Sequence, residues 1–160
     1  MYIGIEMKET RVFDRWEPII AASTVKRFEG FRSAAYLCPA GVPTIGYGHT
    51  RGVHIGERIS EQEADQLLSS DLERFHRQIK NAIKVPISRG QYIAIMDFTF
   101  NLGATSFLSS TLLKLLNNGC QTEAAKQFSY WVYITVNGAK QVSSGLVKRR
   151  AYEAKIFTEE

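Results

Sequence analysis

The chain has 160 residues, of which 44% are hydrophobic and 22% charged, a composition typical of soluble globular proteins rather than disordered or collagen-like chains. Lysine and arginine outnumber aspartate and glutamate by 20 to 16, so a net charge of +4 favours polyanionic partners without selecting one. The longest apolar runs, of four or five residues, fall far short of the roughly 20 that cross a bilayer and exclude a membrane-spanning segment.

The first 18 residues mix acidic and basic side chains and end at Pro18, and their sequence indicates no role. Their charges interrupt the apolar core that a secretory signal requires, so we expect the protein to start in the cytoplasm of the cell that makes it. Residues 19–28 then place Ile20, Val25 and Phe28 on one face of a short amphipathic helix, which Gly30 is positioned to end.

Residues 36–59 are rich in glycine, proline and β-branched residues, which predicts a small sheet with tight turns. Ser60 followed by Glu63 is a capping-box signature, and apolar residues continue at helical spacing as far as Ile79. The sequence therefore predicts a long helix that leaves the sheet and ends before Pro86.

A strongly apolar helix is predicted from its N-cap, Ser88, to Gly103, and we expect it to form a core. Shorter helices are expected at residues 110–118, 122–131 and 144–157, with turns at Asn118-Gly119 and Asn137-Gly138. These elements predict an α+β fold with a cleft between two lobes. The β-sheet lobe spans about residues 34–60, the bridging helix about 60–84, and the larger helical lobe about 86–160 plus 19–30.

The sequence offers little support for a metal, a cofactor or a disulfide. Cys38 and Cys120 allow a single bridge across 82 positions, and we expect both thiols to be reduced. His49 and His54 have no third ligand nearby, whereas a zinc hydrolase needs three. The glycines of residues 46–52 do not form a dinucleotide-binding motif before a helix. We therefore expect no cofactor.

Glu29, Cys38 and Thr44 follow one another at separations of nine and six positions. This pattern resembles the Glu, Asp-or-Cys, Thr triad of the phage T4-type lysozymes, glycoside hydrolase family 24. The resemblance covers roughly residues 22–158. Its other motifs are Phe100-Asn101-Leu102-Gly103, Ser110-Thr111-Leu112-Leu113, and Gly145-Leu146-Val147-Lys148-Arg149-Arg150 with Glu153.

The resemblance implies a single lysozyme-like domain over residues 1–160, with residues 1–18 as an N-terminal extension. It implies a monomeric endolysin that hydrolyses the β-1,4 bond between N-acetylmuramic acid and N-acetylglucosamine in peptidoglycan and so lyses the host. Such an enzyme accumulates in the host cytoplasm and reaches the wall in the periplasm through lesions made by a holin.

Glycoside cleavage needs an acid that protonates the leaving oxygen and a group that places water or a nucleophile at the sugar carbon. Glu29 lies at the predicted end of a helix, where the negative end of the helix dipole favours its protonated form. An arginine paired with Glu29 would instead favour the ionised form. The sequence leaves open which of the two forms of Glu29 is favoured. The alternative is an ordinary solvated glutamate at a helix end.

Cys38 is a weak general base, since an ordinary thiol is on the order of a few per cent ionised at pH 7. Our hypothesis is that the Thr44 hydroxyl and Cys38 together position the attacking water while Glu29 donates the proton. The alternatives are that Cys38 is a small buried apolar residue and that Thr44 is an ordinary strand residue.

The resemblance also implies that Gly48, Thr50, Phe100 and Asn101 contact substrate, although Phe100 equally suits a core position. It pairs His49 with Asp71 in a structural contact between sheet and helix. The other two histidines, His54 and His76, are expected to face solvent.

The basic run of Lys148, Arg149 and Arg150 suits either a solvated surface or contact with an anionic wall or lipid. A non-catalytic wall or membrane disruptor that acts through this run is one rival to the hydrolase. A lytic transglycosylase with Glu29 as its sole acid and base is another. Binding to nucleic acid is not expected, because the charge is modest and no recognised motif is present.

Overall fold

The computed structural model describes residues 7–160, which contain seven α-helices and six short β-strands. In chain order the strands and helices are β1 (Thr10–Arg11), α1 (Ala22–Glu29), β2 (Arg32–Leu37), β3 (Pro43–Gly46), α2 (Glu61–Ile79), β4 (Ile87–Ser88), α3 (Arg89–Leu102), α4 (Ala104–Leu108), α5 (Thr111–Asn117), α6 (Gln121–Gln127), β5 (Tyr133–Val136), β6 (Ala139–Val142) and α7 (Ser144–Glu159). Short 3₁₀ turns occupy Phe13–Arg15, Pro18–Ala21, Lys80–Ala82 and Phe128–Tyr130. The α+β fold is confirmed.

The small β lobe is an antiparallel pair, β2 and β3, in which Tyr36 lies opposite Thr44. The segment before α2 adds to the outer edge of β2, because the Ile59 amide donates to the Ser33 carbonyl at 2.9 Å. The turn between β2 and β3 is closed by the Cys38 amide, which donates to the Val42 carbonyl at 3.0 Å. This hairpin brings residues 38 and 44 to the same end of the sheet.

The long helix α2 begins at the predicted capping box. The Glu63 amide donates to Ser60 Oγ at 3.1 Å, and the Ser60 amide donates to the Glu63 carboxylate at 2.9 Å. Its 19 residues correspond to about 28 Å of helix, and its inward face is fully buried at Leu72. The predicted bridging helix is therefore confirmed.

The predicted core helix is also confirmed as α3, which Ser88 caps in the same reciprocal way with Gln91. Its apolar side chains have no exposed surface on any side at Tyr92, Ile95, Met96 and Phe98. One charged residue, Asp97, lies among them with 0% exposure. Because α3 is enclosed by the rest of the helical lobe, any polar group on it needs a partner inside the protein.

The segment between α6 and α7 forms a hairpin that was predicted only as a turn. Asn137 and Gly138 both have positive φ, and β5 and β6 pair on either side of them from Tyr133–Val142 to Val136–Ala139. Asn-Gly is the favoured pair for such two-residue turns. The sequence therefore contained a signal for these two strands.

The N-terminal segment, for which the sequence indicated no role, packs into the helical lobe in its described part, residues 7–18. Thr10 and Arg11 pair with Ser88 and Ile87, so β1 is antiparallel to β4. Phe13 is 1% exposed, and buried Trp16 donates its indole N–H to the Ile87 carbonyl at 3.2 Å. Two buried aromatic rings make this segment part of the core.

The expectation that His76 faces solvent is wrong. Its ring is buried on Phe13, with ring centroids 4.8 Å apart. Nε2 donates to Asp14 at 2.9 Å, and Nδ1 accepts from the Tyr92 hydroxyl at 2.7 Å. His76 therefore links the N-terminal segment to α2 and α3. His54 is exposed as predicted.

Within residues 7–160, no helix combines the length and the apolar composition needed to cross a membrane.

The Asp14–His76 contact predicts a pH-dependent contribution to stability. Hydrogen bonds from His76 and Lys80 lower the pKa of Asp14 from its ordinary 3.8. The stabilisation is therefore complete above pH 3.8 and is lost as pH falls through the lowered value. Asp14→Asn should lower Tm by about 1–3 °C at pH 6, and the difference should shrink toward zero at acid pH, as thermal unfolding followed by circular dichroism can show.

Glu9→Gln is the matched control, because Glu9 lies on the same segment and, within residues 7–160, pairs with the exposed Arg11 alone. It should leave Tm nearly unchanged at both pH values. A decrease in Tm for Asp14→Asn that is the same at pH 6 and at acid pH would contradict the prediction.

Candidate active site

A cleft of about 500 Å³ lies between the β2–β3 hairpin and the C-terminal end of α3. All seven residues that the sequence analysis proposes for catalysis or substrate binding line it: Glu29, Cys38, Thr44, Gly48, Thr50, Phe100 and Asn101. The same cleft is also lined by side chains that the sequence analysis did not propose, among them Tyr36, Arg74 and Phe75.

Glu29 is the last residue of α1, which ends at Gly30 with φ of 67°. One carboxylate oxygen, Oε1, accepts a hydrogen bond from Arg149 Nη1 at 2.7 Å. The other approaches Gly48 so closely that a β-carbon there would lie 2.8 Å from Oε2. With 20% of its side chain exposed, Glu29 is held in place yet open to the cleft.

Arg149 is itself fixed by Asp97. Its Nε and Nη2 donate to the two Asp97 oxygens at 2.9 and 2.8 Å, the two-pronged geometry that suits a guanidinium and a carboxylate. Burial alone would lower the pKa of Arg149, but the hydrogen bond to Asp97 and the charges of Asp97 and Glu29 raise it instead. Arg149 is therefore a permanent cation beside Glu29. Its positive charge acts against the negative end of the α1 dipole, which favours a protonated carboxyl group there.

The expectation that Arg149 and Arg150 form a solvated basic surface is wrong. Arg150 is 1% exposed and donates from Nη2 to Asn101 Oδ1 and to Glu153 Oε1, both at 2.9 Å. Burial of a guanidinium is tolerated where carboxylates match its planar fork. Of the predicted run, Lys148 alone is exposed, so these two arginines are not available for an anionic wall or lipid.

Cys38 and Thr44 lie at the opposite side of the cleft from α3. Thr44 is buried, and its hydroxyl donates to the Val42 carbonyl at 2.9 Å. This leaves the lone pairs of Oγ1 free to accept a hydrogen bond from water. A hydrogen bond with the Val42 backbone, aided by Ala40 and Thr44, lowers the pKa of the Cys38 thiol against the opposing effect of burial. A larger fraction of Cys38 is therefore thiolate at neutral pH than of an unperturbed cysteine.

Phe100 lies both at the edge of the core and in the wall of the cleft, the two positions considered for it in the sequence analysis. Its ring packs edge-to-face on Phe75, with centroids 5.7 Å apart, at the margin of the core. It also lines the cleft and approaches Gly48. Asn101, next along α3, turns its amide oxygen to Arg150.

The predicted contact between His49 and Asp71 is confirmed. His49 Nδ1 lies 2.7 Å from Asp71 Oδ2, and Nε2 lies 2.9 Å from the Arg51 carbonyl. Arg74 reaches the other Asp71 oxygen at 3.3 Å. Since Asp71 is on α2, these bonds anchor the turn that carries Gly48 to the bridging helix.

Asp97, which fixes Arg149, is a further residue that the sequence analysis missed. A single acidic side chain within an otherwise apolar helix was the signal that could have found it, because a buried carboxylate requires a cation. Nothing in the spacing of the sequence links it to Arg149, which is 52 positions away.

Three comparisons place this architecture among known proteins. Residues 26–153 match the family model described as phage lysozyme. The chain is 42% identical over 133 residues to an endolysin of Acyrthosiphon pisum secondary endosymbiont phage 1, covering 83% of this chain and 91% of the relative. Its fold matches an endolysin from Escherichia coli O157:H7 phage FAHEc1 with a TM-score of 0.81 and 34% identity, covering 96% and 97% of the two chains.

A further structural match is the muramidase domain of SpmX from Asticaccaulis excentricus. It has a TM-score of 0.81 and 35% identity, and covers 88% of this chain and 95% of that domain.

The close approach of Gly48 to Glu29 predicts that Gly48→Ala impairs the site. The added β-carbon would displace the carboxylate, and a displacement of about 1 Å can cost on the order of 100-fold in rate. We expect at least about a 10-fold loss in the clearing of bacterial cell walls, the activity that the resemblance implies. Turbidity assays of the purified variant give this rate.

Gly52→Ala is the matched control. Gly52 has φ of 67°, similar to the 76° of Gly48, but among residues 7–160 no atom apart from those of its two chain neighbours lies within 4 Å of its added β-carbon. Both variants should lose about 1–2 kcal/mol of stability from the left-handed backbone, whereas Gly48→Ala alone should lose activity beyond that. Equal activity losses in the two variants would contradict the prediction.

Proposed function

The chain belongs to the phage lysozyme family and is a lysozyme, and we propose that it hydrolyses the β-1,4 bond between N-acetylmuramic acid and N-acetylglucosamine in bacterial peptidoglycan. The observation that carries this proposal is that Glu29 shares one cleft with Cys38 and Thr44. An acid and a water-binding wall around one space are what glycoside hydrolysis requires. The muramidase domain to which the chain is similar supports the same bond as the target.

We infer that the enzyme is of the T4 type, glycoside hydrolase family 24. The spacing of Glu29, Cys38 and Thr44 supports this assignment, with cysteine as the second member. The catalytic roles then follow from the geometry of each side chain.

In the proposed reaction, Glu29 donates its proton to the glycosidic oxygen as the bond from that oxygen to the anomeric carbon breaks. A water molecule held by Thr44 Oγ1 attacks the anomeric carbon and releases its proton to the Cys38 thiolate. Arg149 stabilises the Glu29 carboxylate that remains, because its Nη1 already contacts Oε1 at 2.7 Å. Gly48, Thr50, Phe100 and Asn101 contact the saccharide along the cleft.

The thiol at position 38 favours one alternative, a lytic transglycosylase. In that reaction Glu29 serves as both acid and base and no water is activated, so a strong base at position 38 is unnecessary. The product then carries an anhydromuramic end rather than a reducing end. The hypothesis of a non-catalytic disruptor is not supported, because it needs an exposed basic run and Arg149 and Arg150 are buried.

We further propose that the protein is a monomeric endolysin that is made in the host cytoplasm and reaches the wall through lesions made by a holin. The 42% identity with a phage endolysin supports this setting.

Replacing the proposed acid gives the test of the function. Glu29→Gln keeps an oxygen that can accept from Arg149 but cannot donate the required acid proton, so cell-wall hydrolysis should fall by about 1,000-fold or more with the fold intact. Turbidity clearing gives the rate, and mass spectrometry of products released by the wild type separates reducing ends from anhydromuramic ends. Glu73→Gln, on the exposed side of α2, is the control and should remain active.

Retained hydrolysis by Glu29→Gln would remove Glu29 from the acid role. Anhydromuramic ends from the wild type would replace the muramidase with the transglycosylase.

A second pair of variants tests the thiol. Cys38→Ala should lower kcat by about 10- to 100-fold, because the water loses its proton acceptor, and Cys38→Asp should match or exceed the wild type. Cys120→Ala is the control for loss of an exposed thiol. Full activity of Cys38→Ala would show that sulfur takes no part in the chemistry, and NMR of the freshly formed anomer would report inversion or retention.

A further inference from the structure

We propose that Asp97 is a positioning residue that offsets the charge of Arg149 and thereby allows Glu29 to hold its proton in the resting enzyme. This inference rests on the proposed role of Glu29 as the acid.

The geometry makes the three side chains one unit. Two nitrogens of Arg149 are engaged by Asp97 at 2.8 and 2.9 Å, and Nη1 is directed at Glu29 at 2.7 Å. Because the guanidinium is planar and rigid, the position of Asp97 on α3 determines where Nη1 meets Glu29 on α1. The side chains of Asp97 and Arg149 are 0% and 6% exposed, so water does little to screen their charges.

The charges of this unit create a conflict that Asp97 resolves. A buried cation next to Glu29 would by itself hold the carboxylate ionised, whereas an acid must begin protonated. Asp97 and Arg149 together carry no net charge, so an ionised Glu29 would leave the unit with one uncompensated negative charge. A protonated Glu29 leaves it neutral.

Stability alone does not account for a buried carboxylate in the middle of α3. Replacing a buried ion pair with apolar groups of similar size is often neutral or stabilising. The neighbouring helix positions are occupied by Met96 and Phe98, which have no exposed surface. A charged residue in that setting is better explained by what it does to Glu29 through Arg149.

Other charged groups lie around the unit. Behind Arg149, Glu153 pairs with Arg150 at 2.9 Å and lies 4.0 Å from Arg149 Nε. Burial and the nearby Asp97 carboxylate raise the pKa of Glu153. On the cleft side, the titratable groups are Tyr36 and Cys38 near the β2–β3 hairpin, and Asp71 and Arg74 on α2. None of these side chains has a hydrogen bond to Glu29 among those of residues 7–160.

The test is the pH at which Glu29 titrates in Asp97→Asn. Asparagine has the same shape and keeps one oxygen for Arg149, but it carries no charge. With the cation no longer offset, the titration midpoint of Glu29 should fall by about one pH unit. The measurement is the ¹³C signal of the Glu29 carboxyl, assigned with Glu29→Gln, and the alkaline limb of kcat/KM should move by the same amount.

Two further variants make the result decisive. Asp97→Asn, Arg149→Gln removes both charges, so it leaves no unpaired buried ion if Asp97→Asn alone fails to fold; its Glu29 midpoint should lie close to that of the wild type, because the net charge beside Glu29 is zero in both. Glu123→Gln, which breaks the exposed pair with Lys126 on α6, is the control and should leave the midpoint unchanged.

An unchanged or raised midpoint in Asp97→Asn would overturn the proposal, as would a double variant that titrates well above the wild type, since Asp97 would then not offset Arg149. Because the NMR titration does not depend on catalysis, it separates this inference from the proposed function. A wild type without hydrolytic activity would refute the function, whereas the NMR midpoints alone decide whether Asp97 acts on Glu29.

Discussion

A single guanidinium joins three of the helices beside the cleft. Arg149 comes from α7, its two-pronged bond reaches α3, and its remaining nitrogen reaches the end of α1. Helix packing alone leaves side chains free to change rotamer by more than an ångström, which is too much for a proton donor. The arrangement removes that freedom, because the guanidinium plane, the Asp97 carboxylate and Glu29 constrain one another. The hairpin of β2 and β3 can then present Cys38 and Thr44 to an acid whose position is fixed.

Local sequence signals predicted the elements that depend on local physics. The capping boxes at Ser60 and Ser88 and the positive φ at Gly30 come from interactions within a few residues, and each helix boundary there agrees with the sequence. The site was predicted from the resemblance to the lysozyme family, which grouped residues 29, 38 and 44. The fold brings these residues to one cleft. Periodicity alone gave no reason to group them.

The errors arose where distant residues compensate for unfavourable local chemistry. A basic run on a terminal helix is usually solvated, and burial of Arg149 and Arg150 is possible only because Asp97 and Glu153 supply matching carboxylates. His76 looked like a surface residue because its partners, Asp14 and Tyr92, lie 62 and 16 positions away. The N-terminal segment has no regular pattern, and its role depends on the pairing of β1 with β4. Long-range pairing of this kind leaves no trace in local composition.

The order of the elements along the chain also has a consequence for synthesis. Glu29, the cleft hairpin and Asp97 all leave the ribosome before α7, so Asp97 has no Arg149 to pair with until residue 149 emerges. The helical lobe therefore cannot reach its final packing until α7 has emerged, and the proposed acid receives its partner only then. Translation products that stop before α7 would carry most of the cleft but not the guanidinium that holds the proposed acid in place.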